Sequence, residues 1–134
     1  MKTKSILTKI AAFLAFIIGA MAIFAGEQVI LGTLPDYYVI VWLPIYNFII
    51  GIASVFFTAI VIWKNTRLAL PTALATFSVH ATVTVLLQTT YREVVAPDSI
   101  KAMTVRMIVW IIILILLFSQ QVNNKKNKEK QNER

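Results

Sequence analysis

The run "YVIVWLPIYNFIIGIASVFFTAIVIW", Tyr38–Trp63, decides the fold. It carries no charged residue and exceeds the roughly 20 residues a helix needs to cross a bilayer core. It ends in the basic turn "KNTR", and a second apolar run follows, "LALPTALATFSVHATVTVLLQTT", Leu68–Thr90. Two long apolar runs joined by four polar residues read as a transmembrane helical hairpin. The first is longer than a crossing requires, so it tilts or begins with an interfacial segment, with "YYVIVW" as an aromatic entry at headgroup level. Pro44 cannot donate to the helix ladder and kinks the helix or marks its true start. Pro71 falls in the first turn of the next helix, where a missing N–H costs little.

The flanks carry two more runs. Ile6–Gly26 follows Lys2 and Lys4 and contains Lys9. Ala20-Met21-Ala22 has the form of a signal-peptidase site, but the run is long for a signal peptide and the other spans need a first partner. The fourth run is about Ile100–Val122, after a loop in which Pro97 breaks the chain and Asp98 or Ser99 suits an N-cap. The tail 123–134 is polar, basic and low in complexity, and is expected to be disordered. The expected fold class is all-α: a polytopic four-transmembrane-helix bundle over residues 1–122, with spans at about 6–26, 38–63, 68–90 and 100–122.

Composition agrees. Of 134 residues, 58% are apolar and 14% charged, and mean hydropathy is +0.75. A soluble domain has about a quarter of its residues charged. The net charge of +7 flanks hydrophobic runs or lies in the tail, which suits anionic lipid and not nucleic acid. The N-terminal flank, the "KNTR" turn and the tail are basic. The loop holding Glu27 and Asp36 is acidic, and the loop holding Arg92, Glu93 and Asp98 is mixed. The positive-inside rule therefore predicts a cell-membrane protein with both termini cytoplasmic. The absence of cysteine excludes disulfides, thiol nucleophiles and Cys-ligated metals.

Each helix carries a readable stripe. Ala12, Ala15, Gly19, Ala22 and Gly26 recur at three and four, which suits close approach to a neighbour. Asn47, Gly51, Ser54 and Thr58 repeat at four-three-four on helix 2. Thr76, His80, Thr84 and Gln88 recur every fourth residue on helix 3. These two stripes predict a polar seam between helices 2 and 3 that opens outward. Threonine can bond the carbonyl four residues back, so the amides and the imidazole carry the signal. Arg106 lies about two turns inside helix 4, where an unpaired charge costs at least ~2.5 kcal/mol. Glu27 is its expected ion-pair partner.

The sequence holds no nucleophile elbow, metal-ligand cluster or phosphate-binding glycine loop. Its carboxylates outside the tail lie too shallow to join His80 in a metal site. Ion transport would call for intramembrane carboxylates or interrupted helices. Catalysis by this chain alone is therefore not expected, nor a metal or a resident cofactor. The polar residues suit one of two roles. They tie the bundle together, or they line an apolar cavity for a hydrophobic small molecule, with His80, Asn47, Gln88, Thr84 and Tyr46 as binding residues and Tyr91 and Trp110 near. The other expected partners are the lipid bilayer and a partner membrane protein.

The stretch "NFIIGIASVFFTAIVIWKNTRLALPTALATFSVHAT", Asn47–Thr82, resembles the central helical pair of the DoxX-like bacterial membrane proteins. The matching features are a polar residue and then glycine early in helix 2 (Asn47, Gly51), a short basic turn (Lys64, Arg67) and a mid-span histidine (His80). "FIIGAMAIFAG" echoes that family's first helix. Asn47 stands where an acid is common, and Glu27 stands where a basic residue is usual. The resemblance implies a four-helix bundle of the bacterial inner membrane. It further implies an accessory role in redox or thiol-stress systems or in membrane-protein assembly. Without cysteine, this chain would be the non-thiol component. The second functional expectation is a membrane redox-system component that binds a quinone-like molecule near His80.

Overall fold

The computed structural model describes residues 2–33 and 40–132, with side chains from Ile6 onward in the first helix. Four long helices follow in order: α1 (Lys2–Ile30), α2 (Trp42–Trp63), α3 (Ala69–Thr89) and α4 (Pro97–Asn132). All four are long and apolar enough to cross a membrane, and the described residues contain no strand. The expected position of Asp36 and half of the "YYVIVW" entry, Tyr37, Tyr38 and Val39, fall outside the described residues. So do the side chains of Lys2 and Lys4.

Helix α1 packs on α2 and α4, α4 packs on α3, and α3 closes the ring against α2. The residues that face inward set this order. On α3 the buried positions are Ala69, Ala73, Thr76, His80, Val83 and Leu87. On α4 they are Met103, Arg106, Trp110, Ile113, Leu117 and Gln120. Both sets alternate steps of three and four, the pattern of helices packed at a shallow angle. The outward faces are apolar too: Phe13, Phe56, Val85, Ile115 and Phe118 are each more than half exposed. A soluble bundle carries polar residues on that face, so the apolar exterior fits a hydrocarbon surround.

The small-residue stripe of α1 is buried throughout. It brings α1 and α2 into backbone contact. A Cβ on Gly51 would lie 2.7 Å from Gly19 O and from Ile23 N, and one on Gly26 would lie 2.6 Å from Pro44 O. Only glycine permits that approach.

Helix α2 is not uniform. Pro44 sits in its first turn and is buried, so it marks the helix start. Ser54–Thr58 then forms a π-helical turn. The extra residue in this turn widens the buried face: Ser54 and Val55, then Thr58 and Ala59, are all less than a tenth exposed.

Two expectations are corrected in α4. Pro97 is its first residue and Ser99 N–H donates to Ala96 O, so Asp98 and Ser99 lie inside the first turn and do not cap it. Asp98 instead meets Lys101 at 3.4 Å on an exposed face. At the other end, where a disordered tail was expected from residue 123, the helix continues to Asn132. The segment is rich in Lys and Asn; lysine is a good helix former and asparagine a poorer one, so the extension depends on a helix already nucleated by the apolar core.

Candidate functional site

A polar cluster lies inside the bundle at the junction of α2, α3 and α4. His80 sits roughly 16 Å from the start of α3 and 13 Å from its end, at 1.5 Å per residue. Its side chain is 1% exposed. Its Nδ1 lies 2.5 Å from the hydroxyl of Tyr46, and the two rings meet edge to face at 5.8 Å. No described side chain hydrogen-bonds Nε2. When the Tyr46 hydroxyl donates to Nδ1, Nε2 carries the proton and becomes a donor.

The residue after Tyr46 turns toward α4. Asn47 Oδ1 accepts from Arg106 Nη1 at 2.5 Å, and the same nitrogen lies 3.5 Å from Met103 Sδ. Arg106 is 5% exposed and Asn47 6%. Adjacent positions on α2 thus hold the two most polar groups of its neighbours, one on each side.

Trp110, one turn past Arg106, closes the cluster from below. Its ring lies 6.1 Å from that of His80. The side chain is fully buried, and its Nε1–H has no hydrogen-bond partner among the described residues. A buried donor left without an acceptor costs about 1–3 kcal/mol. Above the cluster, Trp42 meets Tyr46 at 6.3 Å and Tyr91 at 5.7 Å, both edge to face. These three rings form a half-buried aromatic rim.

The structure brings together Tyr46, Asn47 and His80 from the expected binding set, and adds Arg106 and Trp110. Two members fall out. Gln88 is exposed, because a four-residue step drifts about 40° and two steps carry it off the inward face that Leu87 occupies. The Thr84 hydroxyl donates back to His80 O at 2.7 Å and so stays within its own helix. The expected Glu27–Arg106 ion pair is not formed. Glu27 follows the buried Gly26 by about 100° around α1, which turns it to the exposed side.

The seam is also divided differently. Thr58 meets Thr76 of α3 at 3.2 Å, but Gly51 and Ser54 face Gly19 of α1. Asn47 faces α4. The polar stripe of α2 thus serves three neighbours in turn, and the π-helical turn helps it do so.

A second polar group ties the opposite end of the bundle. The Thr8 hydroxyl donates to Gln120 Oε1, and Gln120 Nε2 donates to Asn65 Oδ1 at 3.0 Å. Lys9 Nζ stands 5.4 Å from the ring centre of Trp63 at the same end. Sequence reasoning overlooked Gln120. The three-four repeat from Met103 would have placed it on the face of Arg106 and Trp110. Among the described residues, no group of three or more His, Asp or Glu side chains gathers as a metal site would require.

Four apolar helices with polar groups buried among them define a multi-pass helical membrane protein. No protein-family model, curated protein or solved structure matches this chain.

Proposed function

We propose that this protein is a small accessory component of the cell membrane that binds a hydrophobic molecule with a hydrogen-bond-accepting head. The single observation that carries this reading is the Trp110 indole N–H, fully buried beside His80 and without an acceptor. Buried donors are normally satisfied, and an exception calls for an explanation. A carbonyl or carboxylate oxygen brought in by a ligand would satisfy both this donor and His80 Nε2. Arg106 would stabilise negative charge on that oxygen, as intramembrane cations in functional sites do. Entry would run past the aromatic rim, with the Tyr46 ring moving aside.

A second reading makes the ligand a quinone in a redox system. Its support is the Tyr46–His80 pair, which leaves one imidazole N–H to donate to a quinone carbonyl. The DoxX-like resemblance supports an accessory role for either ligand. The distribution of Lys and Arg supports cytoplasmic termini: Lys9, Lys64 and Arg67 lie at one end of the bundle with the end of α4.

The test is purification in mild detergent, organic extraction, mass spectrometry and an absorption spectrum. One hydrophobic compound with an acceptor group, other than a membrane phospholipid and near one per chain, supports the reading. A quinone spectrum selects the second reading. Extract that matches bulk membrane lipid counts against both.

A further inference from the structure

On the outside of the bundle, a groove of about 440 Å³ runs between α1 and α2. Its floor is made of Ala12, Val55 and Ala59, each less than a tenth exposed. Phe13, Phe16 and Phe56 stand out from the bundle as its walls, with Ile60 and Trp63 toward one end. The π-helical turn at Ser54–Thr58 contributes to this shape by turning both Val55 and Phe56 into the groove lining. All the lining residues are apolar.

The end of the groove is charged. Trp63 carries Lys9 over its ring at 5.4 Å, and Lys64 and Arg67 follow in the next turn. No Asp or Glu occurs in residues 1–26 or in the "KNTR" turn. Tryptophan and lysine together mark the level of the lipid headgroups. A lysine over the face of an indole is weakly held there and still has N–H groups to offer an anion.

We infer that the α1–α2 groove is a site for one anionic phospholipid, with an acyl chain on the Ala12–Ala59 floor and the phosphate at Lys9. The small floor between protruding rings admits a flexible chain and obstructs a partner helix. The basic end selects the sign of the headgroup. Chain packing alone would not distinguish lipids, because the surrounding bilayer is equally apolar.

The test is native mass spectrometry of the detergent-purified chain titrated with phosphatidylglycerol or phosphatidylcholine. We expect one phosphatidylglycerol per chain, held about five-fold tighter than phosphatidylcholine, the fold-change that one charge near the surface supplies. Lys9→Gln removes the preference, whereas Lys101→Gln at the other end of the bundle keeps it. Ile60→Trp, at an exposed wall position, fills the groove and weakens both lipids. Glycerol phosphate alone at the same concentration does not compete. Equal binding of the two lipids by the parent would overturn the proposal. So would a full preference retained in Lys9→Gln, or competition by glycerol phosphate, which would place the anion site outside the groove. Because Lys9 is exposed, its variant reads the charge even if Ile60→Trp fails to fold.

Discussion

Arg106 Nη1 donates to Asn47 Oδ1 at 2.5 Å, and both side chains are more than nine-tenths buried. The contact joins α4 to α2 roughly 13 Å along the axis from Pro97, well inside the apolar layer. Hydrogen bonds to charged groups contribute about 1.5–3 kcal/mol, more than neutral ones. We therefore expect Asn47→Ala to destabilise the bundle by about 2 kcal/mol, and Asn47→Asp to be better tolerated because it supplies an opposite charge. Reversible unfolding in mixed detergent measures both. Asn47→Ala with parental stability would show that the contact contributes nothing.

Gly51 tests the α1–α2 contact. Its Cβ would press on backbone atoms of α1 at 2.7 Å, and backbone cannot yield as a flexible side chain does. Overpacking of this kind costs about 1–3 kcal/mol. We expect Gly51→Ala to lower the thermal transition clearly, and Gly51→Leu to prevent folding. A thermal shift assay that finds Gly51→Ala unchanged would mean that the two helices are farther apart.

At the opposite end, Gln120 bonds both Thr8 and Asn65. Interhelical hydrogen bonds in membranes average about 0.6 kcal/mol. Thr8→Val should therefore cost about that much. Gln120→Leu should cost roughly twice as much, because two partners are left behind. A double-mutant cycle between Thr8 and Gln120 that gives no coupling would remove this tie.

Gln88 should be silent. It is exposed on α3, and exposed substitutions away from special features usually stay within about 0.5 kcal/mol. Gln88→Ala should therefore match the parent in stability and in co-purified compound. A loss of either would restore it to the site.

The spans were legible because length and apolar content decide them, and the inward face of α1 was legible because small residues announce close packing. His80, Tyr46 and Asn47 were legible because polar groups in an apolar run must be satisfied. Their partners were not. A stripe on one helix says which residues share a face, but not which neighbour that face meets. For that reason Gly51 and Ser54 were expected opposite α3 and lie on α1, and Arg106 was assigned to Glu27 and meets Asn47. The four-residue stripe ending at Gln88 misled for a related reason: packed helices repeat at three and four, so a strict step of four leaves the interface. The π-helical turn has no proline or glycine to signal it. It follows from the demands of three neighbours on one helix.

The most direct measurement of the ligand-binding reading compares parent and Trp110→Phe by mass spectrometry of their organic extracts. Phenylalanine removes the orphaned N–H and keeps an aromatic ring in the core, so folding should survive, with circular dichroism and thermal transition as checks. The expected result is one acceptor-bearing hydrophobic compound near one per chain in the parent, and at least a ten-fold loss of it in the variant. A parent extract with only bulk membrane lipid, or a variant that keeps the compound in full, would contradict it.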